Sequence, residues 1–99
     1  MNKARRRELT VLSNEINRAK TKDDIFICIC TLEKIRDDEQ DYFDNIPENL
    51  QYSQMAEDSE QSIEYMEEAI RALEESYDMN NLDKNLLEEA IDLIDDASL

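Results

Sequence analysis

The chain contains no glycine, no histidine, no tryptophan and a single proline, Pro47. Without glycine the two-residue turns of β-hairpins lack their usual building block, because those turns need backbone at positive φ. A sheet fold is thereby disfavoured. The same absence removes any glycine-rich phosphate loop, and the missing histidine removes nucleophilic triads. Cys28 and Cys30 are the only cysteines; two positions apart on a helix they point to nearly opposite sides and cannot bridge one another. With no C-x-x-C pair and no histidine, neither a metal nor any other cofactor is expected. Both thiols read as small apolar core residues in a reducing compartment. The longest apolar run, Ile25 to Cys30, is too short to span a bilayer, and the Arg-rich opening has no apolar signal segment behind it. A cytoplasmic protein is expected.

Cations are the other scarcity: 11 Lys and Arg stand against 26 Asp and Glu, for a net charge of −15. Such a chain repels the phosphates of nucleic acids and anionic membranes, so direct binding to either is not expected and a basic protein is the preferred partner. The charge is also unevenly placed. Residues 1–22 hold seven Lys or Arg against Glu8 and Glu15, a balance of +5, whereas residues 23–99 hold four basic against 24 acidic residues, a balance of −20.

What remains favours helix. Ala, Leu, Ile, Met, Glu, Gln, Lys and Arg dominate the long segments, and these are the residues that lose least on entering a helix. Ninety-nine residues with 40% apolar content make a single domain with a thin core, so association with a second chain is expected.

The clearest break lies at Asn45, Ile46, Pro47, Glu48 and Asn49, where proline biases its predecessor away from helix and two asparagines supply turn chemistry. The main turn is placed at 45–52, with Ser53 as N-cap of the helix beyond it. There Ala56, Ser59, Ile63, Met66, Ile70, Leu73 and Tyr77 alternate spacings of three and four, a heptad seam. The register runs on through Asn80 and Lys84 to Leu87, Ile91 and Ile94. It reads as one continuous or merely kinked helix, the alternative being a break near 79–81 with Asn80 as a cap and Asp83 three positions on.

Before the turn, Leu9, Leu12, Ile16 and Ala19 form one stripe, and Ile25, Cys28, Leu32, Ile35 and Tyr42 form a second that is out of phase with it. Thr21 and Asp24 make an N-cap pair that would reset the phase through a kink or short break near 20–23. The run Ile25 to Cys30 has strand propensity, but a lone strand has nothing to pair with, so it reads as helix buried all round. The expected fold is all-α: arms over 3–44 and 53–97 closed into a long antiparallel, coiled-coil-like hairpin, two copies pairing into a dimeric four-helix bundle. Each arm would be on the order of 60 Å long. Antiparallel pairing would lay Lys3, Arg5, Arg6 and Arg7 beside Glu88, Glu89, Asp92, Asp95 and Asp96, making the charge asymmetry complementary.

The pattern offers three candidate sites. Residues 33–75 carry 15 acidic side chains against Lys34, Arg36 and Arg71, and helical spacing projects Glu57, Glu60, Glu64, Glu67, Glu68, Glu74 and Glu75 outward in rows. Such rows could imitate nucleic-acid phosphates to a basic protein; the plainer alternative is a solvated face. Ser62, Ala69 and Ser76 lie beside the seam residues Ile63, Met66, Ile70 and Leu73, and small residues there would let a helix of a second copy approach closely in a homodimer. Ile29, Phe43, Tyr52 and Tyr65 lie off the seam and also need cover. Finally Glu64 and Glu67, then Glu89 and Asp92, reproduce an E-x-x-E followed by E-x-x-D. That spacing resembles all-α, MazG-like nucleotide pyrophosphohydrolases, and the resemblance implies Mg²⁺ held by acid pairs on one helix face. With 26 acids in 99 residues the spacing arises readily by chance, and no catalytic residue is assigned. Asp37, Asp38, Glu39, Asp41 and Asp44 lack the glycine and spacing of a calcium loop and read as a solvated face.

The stretch Arg36 to Gln51, RDDEQDYFDNIPENLQ, together with the Glu-Glu-Ala-Ile repeats at 67–70 and 88–91 and the opening MNKARRR, resembles small acidic helical proteins encoded by phages and prophages. The resemblance implies a protein made in the host cytoplasm and carries no site residues. A non-enzymatic interaction module that occupies a basic surface of a host defence or DNA-binding protein is the reading it favours. The alternative is a structural assembly module whose charge serves solubility.

Overall fold

The computed structural model describes residues 1–79 and 83–99. These form four α-helices, α1 (Lys3–Arg18), α2 (Lys22–Asp44), α3 (Gln54–Asp78) and α4 (Lys84–Ala97), with a 3₁₀ turn at Glu48–Leu50 between α2 and α3. No strand occurs among the described residues, and Ile25 to Cys30 lie within α2.

Each expected arm is therefore two helices, and each pair folds back on itself. Arg5 of α1 reaches Glu39 of α2, and Ser62 of α3 reaches Ala97 of α4, which sets both pairs antiparallel. Helices α2 and α3 are antiparallel across the main turn, joined by Glu39 to Ser59 at one end and by Phe26 against Tyr77 at the other. Helix α4 returns alongside α1, with Ser13 bonded to Asp95. Every helix thus packs on its two neighbours in an up-and-down ring, with α1 diagonal to α3. The long dimension is 46 Å, shorter than a 60 Å arm. The physical reason is core thickness: a two-helix hairpin offers each apolar stripe one neighbour, whereas the folded ring offers two.

Local signals account for most boundaries. Asn2 caps α1 by accepting from the Arg5 N–H. Thr21 and Asp24 form a full capping box: Thr21 Oγ1 accepts from the Asp24 N–H at 3.1 Å and Asp24 Oδ2 accepts from the Lys20 and Thr21 N–H groups at 2.9 and 3.1 Å. Those two backbone donors, Lys20 first, hold the Asp24 carboxyl below its usual range. Ser53 caps α3 and Asp83 caps α4. The residues that end the helices, Ala19, Asn45, Met79 and Ser98, all keep negative φ, as a glycine-free chain must if it avoids left-handed caps. Asn80, expected as a cap or seam residue, lies outside the described residues, as does Asn81 of the expected break at 79–81.

The stripes read from the sequence form one core. Leu9, Leu12, Ile16, Ile25, Leu32, Ile35, Met66, Leu73 and Ile94 are buried to 1% exposure or less. Ser62, Ala69, Ser76, Ile63, Met66, Ile70 and Leu73, assigned above to self-association, are all buried within this single chain. The close approach that the small residues permit is to α4: Ser62 Oγ–H donates to the Ala97 carbonyl at 2.8 Å, satisfying an acceptor at the helix end. The antiparallel register then brings Ala69 level with Ala90, both fully buried. Small faces small, so the two helices sit close.

The core also contains a polar layer. Glu39 is 0% exposed, and its carboxylate accepts from Arg5 Nε at 2.7 Å and from Ser59 Oγ at 2.5 Å. The Arg5 guanidinium lies 5.5 Å from the centre of the Tyr42 ring. Glu39 is thus not part of a solvated face. The expected pairing of the basic opening with the acidic end is corrected in the same place: α1 does lie beside α4, but Arg5 goes to α2. With Ser13 level with Asp95, the first turn of α1 overshoots the last turn of α4.

Ala69→Leu should overpack the contact between α3 and α4 and lower stability by about 1–3 kcal/mol. Chemical denaturation checks this; an unchanged midpoint would mean that the two helices do not approach closely at Ala69.

Candidate functional site

The seven glutamates expected to meet a partner stay together on the outside of α3. Glu57, Glu60, Glu64, Glu68, Glu74 and Glu75 are exposed and Glu67 is half-buried. At 100° per residue, Glu57, Glu60, Glu64, Glu68 and Glu75 fall within about 80° of one another around the axis, with Glu67 and Glu74 along one flank. Arg71 stands in the row and is the only cation of α3, whose balance over Gln54–Asp78 is −8. Among the described residues none of the seven has an ion-pair or hydrogen-bond partner within the chain; the ion pairs are Arg5–Glu39, Lys34–Asp38 and Arg36–Asp37.

This face can accept and cannot donate, Arg71 apart. Glu60, Glu64 and Glu68 repeat at i, i+4, where like charges destabilise a helix by about 0.2–0.5 kcal/mol per pair. The repulsion is tolerated because the opposite side of α3 is anchored in the core by Ile63, Met66, Ile70 and Leu73. Cations from outside would relieve it. The charge is strongest here and weakest on the diagonal helix: α1 is +3 over Lys3–Arg18, while α4 is −4 over Lys84–Ala97.

The acid spacing that resembles a magnesium-dependent pyrophosphohydrolase does not assemble. Among the described residues no three Asp, Glu or Cys side chains converge into a set that could hold a metal ion, although Glu64, Glu67, Glu89 and Asp92 lie on the two adjacent helices α3 and α4. No described helix is long and apolar enough to cross a membrane.

A second feature has no counterpart in the sequence pattern. A groove of about 590 Å³ runs between α1 and α2 on the outside of the bundle, with Val11 52% exposed along it. A smaller depression of about 240 Å³ continues past Glu15 to Ile27, which is 59% exposed. Ile27 belongs to the run read as buried all round, and Phe26 and Cys30 are exposed as well; only Ile25, Cys28 and Ile29 face inward. Of the residues off the main seam, Ile29 is buried, Phe43 and Tyr65 pack against the core, and Tyr52 is 94% exposed.

Comparison of the chain with protein-family models, with curated proteins and with solved structures yields no match.

The two thiols differ chemically. Burial, reinforced by the negative charges of Glu15 and Asp24, pushes the Cys28 thiol up to about 11, whereas Cys30 is exposed. Since the thiolate is the reactive form, a thiol reagent at pH 8 should modify one cysteine of the native chain and two after denaturation. Peptide mapping should locate the fast adduct at Cys30; equal rates would contradict the helix rotation described for α2.

Proposed function

We propose that this chain is a non-enzymatic interaction module that engages a basic protein surface through the outer face of α3. The observation that carries the reading is the exposed row Glu57, Glu60, Glu64, Glu68 and Glu75, which has no partner within the chain among the described residues. A row of one sign on one helix side sets up a directed field that steers a cationic partner, which charge spread for solubility does not. Arg71 is the one cation on α3.

The partner class is a protein with clustered Lys and Arg, of the kind that binds nucleic acid. Rows of carboxylates on a rigid helix present negative charge at regular intervals, as a phosphate backbone does. Association would be steered from a distance and weakened by salt, because exposed charges act over roughly a Debye length of 8 Å at physiological ionic strength. The resemblance to phage-encoded proteins supports a host defence or DNA-binding protein as the target.

Replacing Glu60, Glu64, Glu67 and Glu68 together by Lys should leave helix content unchanged, since three are exposed and one half-buried. The wild-type chain is expected to retain a basic protein from host lysate at low salt and to release it at high salt, while the variant retains none. Equal retention by wild type and variant would refute the assignment of the α3 face.

A further inference from the structure

We propose that two copies of this chain pair through their α1 helices, antiparallel across Val11, with Arg7 of each facing Glu15 of the other. The starting observation is an exterior stripe on a helix that already buries its opposite side. Leu9, Leu12 and Ile16 face the core, while Ala4, Val11 and Arg18 recur at seven-residue intervals on the outside, with Glu8 and Glu15 between them. The seven-residue spacing keeps these side chains on one strip of the helix, with Val11 its one large apolar residue.

The stripe is self-complementary. Arg7 and Glu15 stand four residues to either side of Val11. A two-fold axis through Val11 therefore sets Arg7 opposite the other copy's Glu15, twice, and sets small Ala4 opposite the stem of Arg18. Among the described residues neither Arg7 nor Glu15 has an ion-pair partner within the chain. The groove beside the stripe has an apolar floor of Val11, Leu12 and Ile35 and adjoins exposed Ile27. An isologous interface requires this pattern, in which each patch is its own complement.

Charge also selects the face. Two copies at −15 repel on approach, and the repulsion is least where like charge is sparsest. The groove residues balance, Arg7 and Lys34 against Glu8 and Glu15, and α1 is the one cationic helix among those described. Pairing there keeps the α3 faces of the two copies, diagonal to α1 in each bundle, on the outside of the dimer. The buried small-residue row of α3 is not needed for association.

Sedimentation equilibrium of the full chain tests this with four variants whose positions are all exposed. Wild type is expected to be dimeric. Arg7→Glu and Glu15→Arg should each weaken the dimer by about tenfold or more, because each sets like charges face to face, and the double variant should recover it. Val11→Asp should give monomer at both low and high salt, with helix content unchanged. A wild-type monomer at all concentrations, a dimer indifferent to the single charge reversals, or a double variant no better than the singles would overturn the proposal. The outcome is independent of whether the α3 face binds a partner.

Discussion

A carboxylate with no solvent exposure must be surrounded by donors before a core can close around it, and Glu39 meets that requirement with side chains from two other helices. Arg5 comes from α1 and Ser59 from α3. The three positions continue the seams of their helices: Arg5 precedes Leu9, Leu12 and Ile16, Glu39 comes after Leu32 and Ile35, and Ser59 stands between Ala56 and Ile63. Sliding α1 or α2 by a turn would leave a buried charge without its counter-ion, a cost of several kcal/mol, and sliding α3 would remove the Ser59 donor. An apolar layer would accept such a slip at little cost. The polar layer therefore sets the register of α1, α2 and α3, while Ser62 against the Ala97 carbonyl does the same for α4 on α3.

Register in turn decides how charge is distributed. With α1 diagonal to α3, the basic opening lies away from the outer face of α3, and the glutamate row there has Arg71 as the one cation of its own helix. Arg5, whose charge would otherwise offset the acidic surface, is consumed inside. The bundle consequently has one strongly anionic edge and, diagonally across it, a nearly balanced one with an apolar groove. Both functional readings rest on this segregation: the anionic edge suits a cationic protein, and the balanced edge suits a second copy of the chain.

The helical character, the Thr21 and Ser53 caps and most of the core are legible in the sequence, because they depend on short-range signals, whereas the Asn2 cap and the capping role of Asp83 are not. Thr21 with Asp24, Ser53 and the Pro47 turn are each complete within a few residues. The fold-back of each arm is not legible. Heptad spacing from Tyr77 through Leu87, Ile91 and Ile94 is satisfied equally by one long helix and by two antiparallel ones, since the seam faces the same core in both. Glu39 is hidden by its neighbours Asp37, Asp38, Asp41 and Asp44, which suggest a solvated face, although its spacing from Leu32 and Ile35 puts it on the seam. Phe26, Ile27 and Cys30 mislead for the opposite reason: an unbroken apolar run suggests burial all round, when only the side bearing Ile25, Cys28 and Ile29 turns inward. The candidate α3 face is legible as a row. That its small-residue flank is spent on α4 is not, because a sequence does not say which chain supplies the neighbouring helix.

The most direct test of the register argument is a double-mutant cycle on Arg5 and Glu39, with each replaced by Met singly and together and stability measured by denaturant unfolding. Arg5→Met strands a fully buried carboxylate and should cost about 3–5 kcal/mol, whereas the double replacement should cost far less than the two singles combined, giving a coupling energy of about 1–3 kcal/mol. Additive losses, with coupling within about 0.3 kcal/mol of zero, would show that Glu39 does not hold α1 against the bundle.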